Sequence, residues 1–318
     1  MTAGLFEGQY VWHPAADDRR LARACVDVRA GRFLSAQEAL EETREDFGLR
    51  AHRSLVLASE AADSDLAERW LAEEPSPEAA LVWARVAVLR ALRAADDRDR
   101  HALALGRIAQ AACDRAAERA PADPTPWVAK LTLARVHRPR DPAPRGLLTA
   151  PPGPWSLFAH ILRLDPWHRE AHHRFLAFFF ARHGGSANAA WDVAAFLGQR
   201  APESSPLRLL SLVSLVEGYN AASPLVNHTW EQPPWRATAL GVYRNWMPHV
   251  AGYRFTPVLD LAYLAHALFM AQCEGEARAV LTAMGPYASR MPWSVFGDPE
   301  EQLTRVRRLC GLPVPGAP

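Results

Sequence analysis

Apolar residues recur at intervals of three and four positions along most of the chain, and the alternation typical of β-strands is nearly absent. That spacing places apolar side chains on one face of an α-helix. In one clear case the apolar positions are Leu81, Val82, Ala84, Val86, Val88, Leu89 and Leu92. Alanine, leucine, arginine and glutamate dominate such segments, and all four favour helix. The pattern therefore predicts an all-α protein.

The breaks in this pattern predict where individual helices begin and end. Ser76 places a capping residue before Pro77, which is typical of a helix start, and Gly31 lies between two segments where a helix end favours glycine. The predicted helices span residues 15–30, 33–46, 50–60, 63–73, 77–95, 99–120, 125–137, 154–164, 167–183, 186–200, 204–218, 235–246, 257–273, 275–285 and 298–310. Because the connections are short, consecutive helices are expected to pack antiparallel.

A proline-rich segment at residues 138–154 interrupts the helices. Its six prolines cannot all be accommodated in helix, because proline lacks the amide donor and blocks the preceding turn. A surface loop and a linker between two helical halves both fit, and we favour the loop because helix pairing resumes directly after it. The predicted organisation is helical repeats at 1–137, this loop or linker, and helical repeats at 155–318 with a loop-rich insert at 219–257.

Several helix junctions repeat at a similar spacing. Pro166 and Pro202 are 36 residues apart, and Pro124 and Pro166 are 42 residues apart with the proline-rich segment between them. The first interval is close to the tetratricopeptide period of about 34 residues, and the second fits that period with an insertion. After Pro166, glycines at 184–185 separate two helices, and a helix rich in small residues follows at 187–191.

These features resemble the tetratricopeptide-repeat superfamily, best over residues 100–216 and more broadly over 15–290. The resemblance implies antiparallel helix pairs stacked as an α-solenoid, in which each pair buries its second face against its neighbour. It also implies a concave helical surface that binds a peptide or a partner protein. The expected function is therefore a protein–protein interaction scaffold or adaptor.

Charge and composition narrow the classes of partner. With 49% hydrophobic residues, 22% charged residues and a formal net charge of +1, the chain can bury a core but has no overall field to attract nucleic acid. Its apolar stretches fall well short of the roughly 20 residues that span a bilayer, and residues 1–18 lack the pattern of a signal peptide. We expect a cytoplasmic protein without membrane insertion. Lys130 is the only lysine among 36 basic residues, a bias typical of GC-rich bacterial genomes.

Candidate metal ligands cluster around a histidine pair. His168 and His172 are four residues apart, so both project from one face of a helix and could chelate a transition metal. A third ligand would have to come from His160, Asp165 or His183. The alternative, which we favour, is a solvated helical face whose histidines make ordinary contacts, and no cofactor is expected.

The four cysteines offer no metal or redox motif. Cys25, Cys113, Cys273 and Cys310 are far apart in sequence, so no Cys-x-x-Cys pair exists. The expected state is four reduced and mostly buried thiols.

Aromatic and arginine residues of the loop-rich insert, together with Trp191 upstream of it, mark a second candidate site. The candidate partner- or ligand-binding residues are Trp191, Trp230, Trp235, Arg236, Tyr243, Arg244 and Trp246. Tryptophan, tyrosine and arginine are the side chains that most often anchor binding partners. They could form a pocket or partner surface, or belong to a capping subdomain that closes the stack, which we favour. The alternative function is an all-α enzyme or small-ligand-binding protein with a pocket near 219–257. Since no reaction centre is recognisable, we favour a protein that is not an enzyme.

Overall fold

A computed structural model describes residues 9–144, 151–219 and 229–314 of the chain. Within these ranges the regular structure consists of fifteen α-helices and three short 3-10 helices, and no β-strand forms. The all-α prediction is confirmed. None of the helices in these ranges combines the length and the apolar character needed to cross a membrane.

The fifteen helices correspond one to one with the predicted segments. They are α1 (Arg19–Arg29), α2 (Leu34–Glu41), α3 (Phe47–Ala61), α4 (Leu66–Glu73), α5 (Pro77–Asp96), α6 (Ala102–Arg119), α7 (Thr125–His137), α8 (Trp155–Leu164), α9 (Arg169–Phe178), α10 (Ala187–Arg200), α11 (Leu210–Glu217), α12 (Pro233–Val250), α13 (Val258–Met270), α14 (Glu274–Met284) and α15 (Pro299–Leu309). The 3-10 helices are Ala181–His183, Pro206–Leu209 and Trp293–Val295.

Local capping explains why many of these boundaries were predictable. The Ser76 hydroxyl accepts a hydrogen bond from the backbone N–H of Ala79 at 3.1 Å, and Pro77 occupies the first turn of α5. These groups satisfy or remove donors that would otherwise lack partners at a helix start. Several boundaries were wrong. Helix α2 ends at Glu41 and α9 at Phe178, each five residues before the predicted end, and α11 begins at Leu210 and not at 204. Helix α12 runs on to Val250 and contains Pro248, where the sequence predicted an irregular stretch.

The chain forms two compact units, which we call the central unit (18–192) and the terminal unit (1–17 and 193–318). The proline-rich segment 138–154 lies inside the central unit. Asp141 and Gly153 exchange two backbone hydrogen bonds of 3.0 Å across it, and residues 145–150 lie outside the described ranges. That pairing brings Asp141 and Gly153 together within the central unit.

The odd-numbered helices of the central unit pack against one another in chain order: α1 on α3, α3 on α5, α5 on α7 and α7 on α9. Each even-numbered helix from α2 to α8 contacts the odd-numbered helix on either side of it in sequence. In addition, α2 contacts α5, and α3 contacts α7 and α9. A core between α5, α6 and α7 is made largely of alanine, including Ala84, Ala112 and Ala129. Small side chains allow the helix axes to approach closely.

The terminal unit is organised around α13, whose residues from Leu261 to Leu268 are all buried. Helices α11, α12 and α14 pack against α13, and α15 packs against α14. The N-terminal segment joins this unit through backbone hydrogen bonds of 2.9 Å that link Val11 to Pro286 and Ala288. The carboxylate of Asp17 accepts hydrogen bonds from the backbone N–H and the hydroxyl of Thr256 at 2.8 and 2.7 Å.

Candidate functional site

The histidine pair predicted as a metal site caps and packs the start of α9. His168 precedes the helix, and its Nδ1 accepts a hydrogen bond from the backbone N–H of Ala171 at 3.2 Å. His172 Nδ1 donates to the carbonyl of His168 at 3.0 Å, because a carbonyl oxygen only accepts. Both rings are buried, and His172 lies edge-on against Phe158. One nitrogen of each ring is therefore committed to the backbone.

None of the proposed third ligands joins this pair. His160 bonds to Arg163 through Nδ1 at 3.1 Å, and the carboxylate of Asp165 accepts from the backbone N–H of Trp167 at 3.1 Å. Across the described ranges, no group of three close donors includes His168 or His172. Burial lowers the pKa of His172 to about 4, so this ring is neutral at neutral pH. We predicted that these histidines lie on a solvated helical face, and that prediction was wrong, because both rings are buried.

The members of the predicted aromatic set differ in their burial and in the unit to which they belong. Trp191 belongs to the central unit, whereas the other members belong to the terminal unit. Trp230 and Trp246 are about 1% exposed or less, which places their indoles in the core and out of reach of a partner. Trp230 packs edge-on against His266 at 5.3 Å between ring centroids, and the Trp246 N–H donates to the Tyr253 hydroxyl at 3.1 Å.

Trp191, on α10, is partly exposed, and the other members of the set that reach the surface lie on α12. Arg236 and Arg244 are exposed, and Trp235 and Tyr243 are partly exposed. Residues 220–228, the other part of the predicted pocket region, lie outside the described ranges. The fully buried tryptophans fit the favoured reading of a structural subdomain better than an open pocket.

Buried ion pairs join the odd-numbered helices of the central unit. The guanidinium of Arg53, on α3, donates to both carboxylate oxygens of Asp18, the cap of α1, at 2.7 and 3.1 Å. Arg50, also on α3, donates to Asp123, just before α7, at 2.5 Å and lies 3.5 Å from Glu78 of α5. A buried charge is tolerated only when a partner compensates for lost hydration. These pairs therefore fix the positions of four helices relative to one another.

A further buried pair ties α5 to α9. Arg85 donates to the two carboxylate oxygens of Glu170 at 3.0 and 2.7 Å, and Arg174 donates to the same carboxylate at 3.2 Å. The side chains of Arg85 and Glu170 are 3% and 11% exposed. Burial alone would raise the pKa of Glu170, but the charge of Arg85, its hydrogen bonds and the charge of Arg174 hold that pKa well below its usual range. Glu170 is therefore ionised throughout the neutral range.

A groove of about 320 Å³ lies between α1 and α2, the first two helices of the central unit. Its walls are formed by Arg19, Arg20, Arg23, Ser35, Glu38 and Ala39. All three arginines are exposed, and Arg20 pairs with Glu42 at 2.7 Å. Guanidinium groups offer paired N–H donors that match a carboxylate. The groove is therefore chemically suited to hold an anionic group, and sequence reasoning did not identify it.

The four cysteines lie in the core. All four are buried and free of disulfides. Burial raises the pKa of both Cys25 and Cys113 to about 12, so these two are thiols at neutral pH. A thiol is a weak nucleophile compared with a thiolate. Both cysteines therefore act as small core residues.

No protein-family model, no curated protein and no solved structure matches this chain significantly.

Proposed function

We propose that this protein is a noncatalytic scaffold that binds a partner protein or peptide, and that its central unit is a tetratricopeptide-like solenoid of stacked helix pairs. The observation that supports this most is the unbroken packing of α1, α3, α5, α7 and α9 in chain order, with an even-numbered helix between each consecutive pair. Two-helix repeats that stack in a row pack in that order, although the contacts of α2 with α5 and of α3 with α7 and α9 reach beyond the neighbouring pair.

The binding surface we propose differs from the one that the family resemblance implies. A stack of repeats presents a concave surface, and the odd-numbered helices, which pack on one another in chain order, are the candidates for it here. Those helices are joined by their own ion pairs, and Arg50, Arg53 and Arg85 are all at most 5% exposed. Because α3 also contacts α7 and α9, little of that face remains for a partner. A partner is therefore expected on another surface of the unit.

The chemistry of the described residues favours binding over catalysis. His168 and His172 are committed to backbone hydrogen bonds, and the thiols of Cys25 and Cys113 are protonated at neutral pH. The Glu170 carboxylate and the Arg85 guanidinium form an ion pair with each other inside the fold. Four buried thiols without a disulfide also suit the reducing cytoplasm that we propose as the location.

Affinity capture tests the proposal. The tagged full-length chain would be expressed in cells of its source, and co-purifying proteins would be quantified with and without excess untagged chain as competitor. We expect at least one protein that is displaced by the competitor and then binds the purified chain in isothermal titration calorimetry. Absence of any such protein, together with turnover of a metabolite from a small-molecule library by the purified chain, would contradict the scaffold function.

A further inference from the structure

We propose that the groove between α1 and α2 binds an acidic peptide segment of a partner protein. This inference rests on the proposed scaffold function and specifies the surface and the chemistry of its partner. The groove measures about 320 Å³ and is open to solvent. A site of that size holds a few side chains and not a folded domain.

The arginines of α1 supply the charge. Helix α1 carries four of them, and two are compensated within the fold: Arg20 pairs with Glu42 at 2.7 Å and Arg29 with Glu60 at 3.2 Å. Arg19 and Arg23, by contrast, form no direct ion pair within the part of the chain that the structure describes. Arg23 acts at longer range on Asp27, whose pKa is lowered by hydrogen bonds from Ser35 and Arg32 and by the charges of Arg32 and Arg23.

The spacing of Arg19 and Arg23 allows both side chains to contact one ligand. Arg19 and Arg23 are one helical turn apart, so they share one face of α1, and both line the groove. Two exposed guanidinium groups in this arrangement can each bind a carboxylate with a pair of N–H donors. The helix is therefore equipped for a ligand that carries at least two acidic groups.

The opposite wall distinguishes a peptide from a nucleic acid. Helix α2 contributes Ser35, Glu38 and Ala39 to the groove. The carboxylate of Glu38 repels a continuous phosphate backbone, but it can accept a hydrogen bond from the N–H of a peptide. Three arginines of α1 thus face a serine, a glutamate and an alanine of α2. Because the groove carries charges of both signs, it complements an acidic peptide better than a polyanion. The net charge of +1 for the whole chain also argues against attraction of a polyanion such as a nucleic acid.

Fluorescence polarisation with defined peptides tests the site. The probe is a fluorescein-labelled twelve-residue peptide rich in aspartate and glutamate, and its control is the same peptide with asparagine and glutamine in their place. The protein variants are the double reversal Arg19→Glu with Arg23→Glu, and a matched double reversal Arg305→Glu with Arg308→Glu on exposed positions of α15. Both variants change the net charge by the same amount, and circular dichroism verifies that each is folded.

We expect saturable binding of the acidic peptide and none of its amide control. The groove variant should weaken binding by about tenfold or more, because it replaces attraction by repulsion, whereas the α15 variant should change it by less than about twofold. Equal weakening by both variants, or no binding of the acidic peptide, would overturn the inference. Tighter binding of single-stranded DNA that is lost only in the groove variant would also overturn it in favour of a nucleic acid.

The two proposals fail in different ways. If a captured protein partner binds wild type and the groove variant with equal affinity, the groove inference is wrong and the scaffold function stands. If no protein partner exists, the scaffold function itself is wrong.

Discussion

The substitution Arg85→Met is expected to lower the free energy of unfolding of the central unit by about 3 kcal/mol. Methionine keeps the volume and apolar stem of the side chain, so the change removes the charge without opening a large cavity. Glu170 then loses two hydrogen bonds of 3.0 and 2.7 Å while its carboxylate stays only 11% exposed. An uncompensated buried charge costs about 3–5 kcal/mol, and we take the lower end because Arg174 remains at 3.2 Å.

The assay is urea unfolding followed by circular dichroism, together with a thermal melt. For a unit of this size each kcal/mol corresponds to about 2–4 °C, so the melting temperature should fall by about 6–12 °C. Arg93→Met is the matched control. It lies on the same helix, but its ion pair with Asp63 has side chains that are 52% and 83% exposed. Such surface pairs contribute about 1 kcal/mol at most, so the control should change little.

A double-mutant cycle with Glu170→Leu separates the charge effect from packing. Removing both partners leaves only Arg174, which is 31% exposed, without its carboxylate, so the double variant should be more stable than Arg85→Met alone. The reasoning is refuted if Arg85→Met costs no more than Arg93→Met, or if the losses from the two single variants simply add.

Further predictions concern burial, backbone contact and core packing. Burial lowers the pKa of His172 to about 4, below about 6.5 in the unfolded chain. The unfolded state therefore binds the proton first, and the free energy of unfolding falls as pH drops from about 6.5 to about 4. The substitution His172→Asn should reduce that fall by up to about 1.4 kcal/mol per pH unit. An unchanged dependence of the unfolding free energy on pH, measured by urea unfolding, would contradict burial of a neutral His172. Gly185→Ala should destabilise the protein by about 2 kcal/mol, because the new Cβ would lie 2.0 Å from the Phe179 carbonyl oxygen. Gly241→Ala should stabilise it by about 0.5–1 kcal/mol, because this glycine lies inside α12 and its Cβ would meet nothing within 4 Å. Equal melting temperatures of the two variants would contradict both expectations. Trp246→Ala should cost about 3–5 kcal/mol in the terminal unit, and a loss below about 1 kcal/mol would show that this indole is not core.

The helices were predictable because their signals are local. A cap such as Ser76 with Pro77 acts within one turn, so the start of α5 can be read from four residues. The end of α12 was misplaced for the same reason: Pro248 is locally a breaker, yet the helix continues through it to Val250. Packing can thus override local preference where other contacts support a helix.

The ion-pair network and the groove were not predicted, because both depend on contacts distant in sequence. Arg85 pairs with Glu170, which lies 85 residues away. The sequence does carry a hint, since Arg85 occupies a position between Leu81 and Val88 that the apolar spacing assigns to the buried face. A charged residue at such a position indicates a buried partner, but not which one.

The tryptophans could not be assigned to the core or to the surface from the sequence. Tryptophan serves equally well as a core residue and as a binding anchor, and sequence spacing alone does not separate the two roles. Trp230 and Trp246 are buried, whereas Arg236 and Arg244 on α12 are exposed. Only the side-chain environment distinguishes them.

Hydrogen–deuterium exchange of the full-length chain bound to its captured protein partner tests the central claim most directly. A scaffold that binds through the α1–α2 groove predicts slowed amide exchange over residues 19–41, with the α15 segment at 299–309 unchanged as the internal reference. Unchanged exchange over 19–41, with protection confined to other segments, would contradict binding through this groove. Unchanged exchange along the whole chain at saturating partner would contradict the scaffold function.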